Sequence, residues 1–160
     1  MQQLFIHEKE LAFWRDQIIA ASAPDAFRPY FELAGNAFGT YHQKLVPFRE
    51  EAILPGIQAV LLFGHTPGHS GYLLGDEKAS LLIWGDIVHF PHIQVSQPEV
   101  TIAFDSDPAA ASQVRGKMLD RAASDNLAVS GMHFNLPTTG KVIREGNGFT
   151  LNYDLWSPLI

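Results

Sequence analysis

Three short polar segments, each placed directly after an apolar run, constrain this chain more than any other feature. They end on or contain a histidine or an aspartate, and they read Gly64-His65-Thr66-Pro67-Gly68-His69-Ser70-Gly71, Trp84-Gly85-Asp86 and Gly131-Met132-His133. In α/β folds, functional side chains gather where strands end at the carboxyl edge of a sheet. We therefore expect an α/β domain in which Asp86, His133 and one of the two histidines of the first segment, His65 or His69, meet, a donor set suited to zinc, manganese or iron.

The two histidines of the first segment, His65 and His69, have the four-residue spacing that metalloproteases use on a helix. Pro67 and Gly68 lie between them and disfavour a helix, so the pair is expected on a loop. Each segment alone has a plainer explanation, since loop histidines are often only hydrogen-bonded and Asp86 suits a turn or a helix cap. The interpretation as a metal site depends on the three segments together.

Composition limits the classes of protein to consider. The chain has 160 residues, 46% of them hydrophobic, as expected for one globular domain. It has no cysteine, so a metal must be bound by its 7 histidines or 17 acidic residues. The net charge of -6 disfavours nucleic acid and anionic membranes as partners. With no membrane-spanning apolar stretch and no signal peptide pattern, a cytoplasmic location is expected unless a missing N-terminal part carries a signal peptide.

The apolar pattern predicts helices alternating with β-hairpins. Asp107 and Pro108 form a strong helix start, with the aspartate as N-cap, and Asp105 is expected to cap the same helix. Helices are predicted over residues 8–20, from 24 to between 35 and 39, and over 107–123. Strands are predicted over residues 3–7, 53–54, 57–63, 72–74, 81–84, 100–104, 127–129, 142–144 and 149–153.

Longer segments around these motifs resemble one known family. Residues 64–74 resemble the HTPGHT-type motif of the metallo-β-lactamase superfamily, with Ser70 in the usual Thr place. Three further segments resemble the branch of this superfamily that contains methyl parathion hydrolase and lactonase-like enzymes. They are Leu82-Ile83-Trp84-Gly85-Asp86-Ile87-Val88-His89, Ile102-Ala103-Phe104-Asp105-Ser106-Asp107-Pro108 and Gly131-Met132-His133-Phe134-Asn135-Leu136-Pro137. The resemblance covers nearly all of the chain and about the C-terminal half of the family's domain.

The resemblance implies a role for each candidate residue. His69 would bind one metal, Asp86 would bridge two, and His133 would bind the second. His65 and His89 would support these ligands or line the pocket, with a structural or solvent-facing role as the alternative. Two zinc ions are the implied cofactors, and the implied reaction is hydrolysis of a small-molecule lactone, ester or phosphotriester by a metal-bound hydroxide.

The family's HxHxDH motif does not occur in this sequence, which has no HxH spacing and no Asp-His dipeptide. Each ion would then keep about two protein ligands, whereas catalytic zinc sites usually have three. We expect residues 1–160 to form a single partial domain, half of an αββα sandwich with a mixed sheet and helices on one face. Such a half leaves an apolar sheet face bare, so we expect a homodimer or pairing with an N-terminal half.

Three hypotheses follow. The chain is part of a metal-dependent hydrolase and inactive by itself, or it is a non-catalytic remnant that dimerises or binds a partner. In the third hypothesis, two chains share a mononuclear site built from His69, Asp86 and His133. Hydrolysis restored by a segment carrying HxHxDH would distinguish the first hypothesis from the second. Loss of metal in His69→Ala would test the third.

Overall fold

A seven-stranded mixed sheet, a separate two-stranded sheet and five α-helices make up the structure, a computed structural model that describes residues 3–49, 52–76 and 79–155. The helices are α1 (Glu8–Arg15), α2 (Gln17–Ser22), α3 (Arg28–Thr40), α4 (Pro91–Gln94) and α5 (Pro108–Ser124). The strands are β1 (Leu4–His7), β2 (Leu45–Phe48), β3 (Ala52–Leu54), β4 (Ile57–Leu61), β5 (Ser70–Asp76), β6 (Ala79–Ile83), β7 (Ala128–Ser130), β8 (Thr139–Glu145) and β9 (Gly148–Tyr153). The predicted α/β class is confirmed.

The strand order of the large sheet brings three chain segments to one edge. The order is β3-β4-β5-β6-β7-β8-β9, and all neighbours are antiparallel except β6 and β7, which are parallel. Because β4 and β6 are both antiparallel to β5, the strands β4, β6 and β7 run in the same direction. Their carboxyl ends therefore lie at the same edge, where the three polar segments of the sequence begin.

The core lies between the large sheet and α5. Side chains alternate between the two faces of a strand, and the register places Val60, Leu82, Val129 and Val142 on one face. They belong to a buried cluster that also contains Met118, Leu119 and Ala122 of α5. Burying an aliphatic side chain of this size stabilises the fold by about 1.5–3 kcal/mol.

The opposite side of the sheet, which we call the second face, is also apolar. The register of β4, β5 and β6 places Ile57, Tyr72, Leu74, Leu81 and Ile83 on it. All five side chains are partly exposed and lie outside the buried cluster. The sheet is therefore apolar on both faces, although only one of them forms the buried core.

The helix predicted over residues 8–20 is in fact two helices that meet at Asp16. The backbone of this residue is extended, with φ at −75° and ψ at 110°. Its carboxylate accepts hydrogen bonds from the amides of Ile18 at 2.8 Å and Ile19 at 3.0 Å. An aspartate that caps the following helix in this way ends the preceding one.

Two further predictions are wrong. The second predicted helix begins at Arg28 rather than at Pro24, whose carbonyl takes part in a turn. No strand forms over residues 100–104. In that segment the carbonyl of Val100 accepts a hydrogen bond from the buried Arg115 at 2.7 Å, so the chain is held by a side chain instead of a neighbouring strand.

The predicted hairpins are confirmed. β3 pairs with β4, β5 pairs with β6, and β8 pairs with β9, each in antiparallel register. The helix start at Asp107 is confirmed as well, because its side chain accepts a hydrogen bond from the amide of Ala110 at 3.0 Å. Among the described residues, no helix combines the length and the apolar character needed to cross a membrane.

Candidate metal centre

The three polar segments meet at the carboxyl edge of the sheet. His69 lies between β4 and β5, Asp86 follows β6 in a short 3₁₀ turn, and His133 follows β7. The amide of Asp86 donates a hydrogen bond to Nε2 of His69 at 3.1 Å. Nε2 of His133 lies 3.4 Å from Oδ1 of Asp86. The sheet thus brings together the three residues that sequence reasoning selected as ligands, and their coordination of a metal stays a prediction.

Asp86 is surrounded mainly by imidazoles. Its Oδ2 lies 3.8 Å from Nε2 of His65, and its Oδ1 faces His133. Oδ1 is buried and has no hydrogen-bond partner among the described residues. A buried carboxylate oxygen without a donor is costly unless a cation or a water satisfies it. The residues at this position therefore fit a divalent cation.

His69 is held by hydrogen bonds to both ring nitrogens. Nδ1 donates to the carbonyl of Leu62 at 3.1 Å, and Nε2 accepts from the amide of Asp86. Burial lowers the pKa of His69, and the neighbouring His65 lowers it further. A neutral imidazole is the form that this pair of hydrogen bonds requires.

Gly85 makes the approach of His69 possible. Its φ of +58° lies in the left-handed region, and a Cβ atom there would come within 2.6 Å of Nε2 of His69. Any other residue at this position would separate the imidazole from the turn that carries Asp86.

His89 lies beside His133 and Asp86, the candidate metal ligands. Its ring centroid is 3.7 Å from that of His133, with the ring planes inclined by 32°. One donor atom each from Asp86, His89 and His133 lie within 4.8 Å of one another. Burial lowers the pKa of His89, and the adjacent His133 lowers it further. The sequence predicted for His89 a structural or solvent-facing role, or a place in the pocket wall or in support of the metal ligands.

Asp105 does not cap α5, contrary to the prediction, because its side chain is fully buried. Oδ1 lies 3.1 Å from Nδ1 of His65, and Oδ2 accepts from the amide of Ile102 at 3.1 Å. Oδ2 also lies 3.5 Å from Nη2 of Arg115. The guanidinium of Arg115 donates to three carbonyls, those of Ile87 at 2.6 Å and of Pro98 and Val100 at 2.7 Å each. A buried network therefore fixes His65, which in turn faces Asp86.

Glu10 is a residue of the site that sequence reasoning missed. From α1 its Oε2 accepts hydrogen bonds from Oγ1 of Thr66 at 2.5 Å and from the amide of Gly68 at 3.0 Å. Its Oε1 accepts from Nε1 of Trp14 at 2.6 Å. The loop that carries His69 is thereby tied to the first helix. The only signal in the sequence is an acid four residues before a tryptophan, a spacing that puts both on one helix face.

Two cavities open on either side of His89. One has a volume of about 420 Å³ and a largely aromatic wall formed by Phe13, Trp14, Phe27, Tyr30, Phe31 and Phe104, and His65, Asp86 and His89 also line it. The other has a volume of about 610 Å³ and is lined by His89, His133 and His92 together with Phe90, Phe134, Phe149, Leu151 and Tyr153. Both have the mixture of apolar walls and a few polar groups that is typical of small-molecule sites.

Comparisons with known proteins identify structures that share this fold. No protein-family model matches the sequence, and no curated protein matches it. Solved structures do match. The hydrolase AbOPH of the β-lactamase superfamily is 25% identical, covering 98% of this chain and 56% of its own, with a TM-score of 0.87. AidC, a dizinc quorum-quenching lactonase, is 21% identical, covering 96% of this chain and 55% of its own, with a TM-score of 0.85.

A third match is a probable metal-dependent hydrolase from Staphylococcus aureus. It is 17% identical and covers 95% of this chain and 53% of its own, with a TM-score of 0.67. The predicted resemblance to metallo-β-lactamase superfamily hydrolases is therefore confirmed. The chain spans about half the length of these structures.

Proposed function

We propose that this chain, whose fold is that of the metallo-β-lactamase superfamily hydrolases, supplies part of a metal-dependent active site that hydrolyses lactones, other esters or phosphotriesters. The observation that carries the proposal is the meeting of His69, Asp86 and His133 at one sheet edge, with Oδ1 of Asp86 left without a donor among the described residues. AidC, which is described in complex with an acyl-homoserine product, supports the choice of lactones.

Zinc is the metal we propose, with two ions in the complete site. Imidazole nitrogens and a carboxylate are ligands that zinc accepts readily, and AidC is a dizinc protein. When bound, such a metal polarises a carbonyl or phosphoryl oxygen and lowers the pKa of a coordinated water. In this proposal His69 and His133 would hold the metal through imidazole nitrogens, and Asp86 would hold it through its carboxylate.

The remaining residues of the site position the ligands and the substrate. His65, fixed by Asp105, faces one oxygen of Asp86 and limits its rotation. The aromatic wall of the 420 Å³ cavity suits an apolar acyl or aryl group, because such surface excludes water and gains by burial. Substrate bound there would place its polar centre next to Asp86 and His89.

We further propose that the chain alone is a poor catalyst and pairs with a second polypeptide. The sequence has no HxHxDH motif, so about two protein ligands remain for each ion. The second face of the sheet, with Ile57, Leu74, Leu81 and Ile83 partly exposed, is suited to a second apolar sheet. The partner is either another copy of this chain or a polypeptide that carries the HxHxDH ligands.

Complementation tests the proposed activity. The chain is mixed with a polypeptide carrying HxHxDH, and hydrolysis of an acyl-homoserine lactone, a nitrophenyl ester and a phosphotriester is measured with zinc present. We expect hydrolysis of at least one substrate, and we expect Asp86→Asn to abolish it. If the mixture of the two polypeptides hydrolyses none of the three substrates, the proposal is contradicted.

The second candidate function is a non-catalytic module that dimerises through the second face. The partly exposed apolar side chains on that face favour it. Analytical ultracentrifugation distinguishes the candidates. A stable dimer that no HxHxDH polypeptide renders active supports the module, whereas an active heterodimer supports the hydrolase.

A further inference from the structure

We propose that His89 joins Asp86 and His133 in a three-ligand site for one divalent cation, which this chain forms without ligands from any other polypeptide. The inference rests on the proposed function in that it concerns the same cleft. It differs in its ligand set, because His89, to which the sequence resemblance gives no metal, joins Asp86 and His133 on the same ion.

The first argument is the geometry of the three side chains. Their donor atoms lie within 4.8 Å of one another, and Nε2 of His133 is already 3.4 Å from Oδ1 of Asp86. Two zinc bonds of about 2.0–2.1 Å span at most ~4 Å, so a small rotation of one imidazole brings all three donors around one ion. Two imidazoles and a carboxylate with an open fourth position form a ligand set known from catalytic zinc sites.

The second argument is that His89 is held in place. Its backbone amide donates to Oε1 of Gln94 at 2.7 Å, and the same oxygen accepts from the amide of Phe90 at 2.9 Å. Gln94 is fully buried, and its Nε2 donates to the carbonyl of Val100 at 2.9 Å. Nδ1 of His89 faces the carbonyl of Asp86 at 3.5 Å. This carbonyl favours the tautomer that leaves Nε2 as the free donor, as in other metal-binding histidines.

The third argument is that His69 is already engaged. Both of its ring nitrogens have partners, the carbonyl of Leu62 and the amide of Asp86. Binding a metal through Nε2, as proposed for the complete two-ion site, would replace the hydrogen bond from the amide of Asp86. His89 and His133 could bind a metal through Nε2 without losing a hydrogen bond. Among the described residues, Nε2 of neither histidine has a hydrogen-bond partner.

The test uses the chain alone with Zn²⁺ and four proteins: the wild type, His89→Leu, His69→Gln and His92→Leu. His92 is the matched control, since it is exposed and lines the same 610 Å³ cavity as His89. Native mass spectrometry counts ions per chain, and competition with a chromophoric chelator measures affinity. Circular dichroism without metal checks that each variant folds.

We expect one zinc ion per wild-type chain and a loss of affinity of at least about 100-fold in His89→Leu, beyond what loss of a supporting residue alone produces. His92→Leu is expected within about threefold of the wild type, and His69→Gln is expected to lose less affinity than His89→Leu. Absence of zinc from the wild type would overturn the inference, and so would retention by His89→Leu with loss in His69→Gln.

A spectroscopic measurement covers the case in which His69→Gln does not fold. The Co²⁺ absorption spectrum of the wild type is compared with that of His89→Asn, and an unchanged spectrum would overturn the inference. The complementation assay separates this result from the proposed function. Hydrolysis restored in a chain that binds no zinc alone would remove His89 as a ligand and leave the proposed function standing.

Discussion

Asp86 separates two regions of the site that differ in how well their polar groups are paired. On the buried side, His65, Asp105 and Arg115 form a connected network that ends on backbone carbonyls. On the open side, the ring centroids of His89 and His133 lie 3.7 Å apart. Beside them is a carboxylate oxygen of Asp86 that has no hydrogen-bond partner among the described residues. The buried side therefore positions Asp86, whereas the open side has the composition of a cation site.

The largest effect is expected for Arg115→Met, which removes the cation of the buried side. Asp105 would remain buried without its counter-charge, and the carbonyls of Ile87, Pro98 and Val100 would each lose one hydrogen bond. Breaking a buried pair in this way costs about 3–5 kcal/mol of the free energy of unfolding. Urea denaturation measures the loss. Arg121→Met, in an exposed pair with Asp125, is the control and should cost less than about 1 kcal/mol.

Exchanging the two aspartates for asparagine tests the comparison itself. Asp105→Asn should lower the free energy of unfolding by about 1–3 kcal/mol, because its amide would face the guanidinium of Arg115. Asp86→Asn should change it by less than about 1 kcal/mol without metal, since Oδ1 accepts no hydrogen bond from the described residues. Zinc titration of the same variants should show the larger loss in Asp86→Asn. Equal effects of both variants in both measurements would contradict the comparison.

A smaller effect is expected for Glu10→Gln, which weakens the tie between α1 and the loop carrying His69. The amide keeps an acceptor for Thr66 or Gly68 but loses the charge, so we expect a loss of about 1 kcal/mol. Hydrogen exchange of the amide of Gly68 should accelerate. In Glu8→Gln, whose partner Arg49 is exposed, the exchange of Gly68 should be unchanged.

The smallest effect on stability is expected for Asp120→Asn, which breaks the exposed pair of Asp120 and Arg144 outside the site's polar network. The hydrogen bond and charge of Arg144 lower the pKa of Asp120 in the folded protein. A lowered folded pKa means that the stabilisation is present at neutral pH and is lost as pH falls through that pKa. The difference in stability between the wild type and Asp120→Asn should therefore shrink between about pH 6 and pH 2. A difference that grows on acidification would contradict this sign.

The meeting of the candidate ligands could be predicted from the sequence, because it follows from strand direction. His69, Asp86 and His133 each come after an apolar run, and strands that run in the same direction end at one edge of the sheet. The hairpins and the start of α5 at Asp107 could also be predicted from the sequence, since turn residues and capping residues act locally.

The network behind Asp86 could not be predicted, because its contacts join residues far apart in the chain. Asp105 and Asp107 look alike in the sequence, yet only the first lies opposite a buried arginine. Glu10 reaches Gly68 across 58 positions, and no local pattern signals such a contact. The prediction of a strand over residues 100–104 was wrong for a related reason. The backbone there binds Arg115, which lies further along the chain.

The most direct test of the central claim is anomalous scattering at the zinc edge from crystals of the chain grown with zinc. We expect a peak on the open side of Asp86, with His89 and His133 as the imidazole ligands. Crystals of folded chain without a peak there, or with a peak bound by His69 in place of His89, would contradict it.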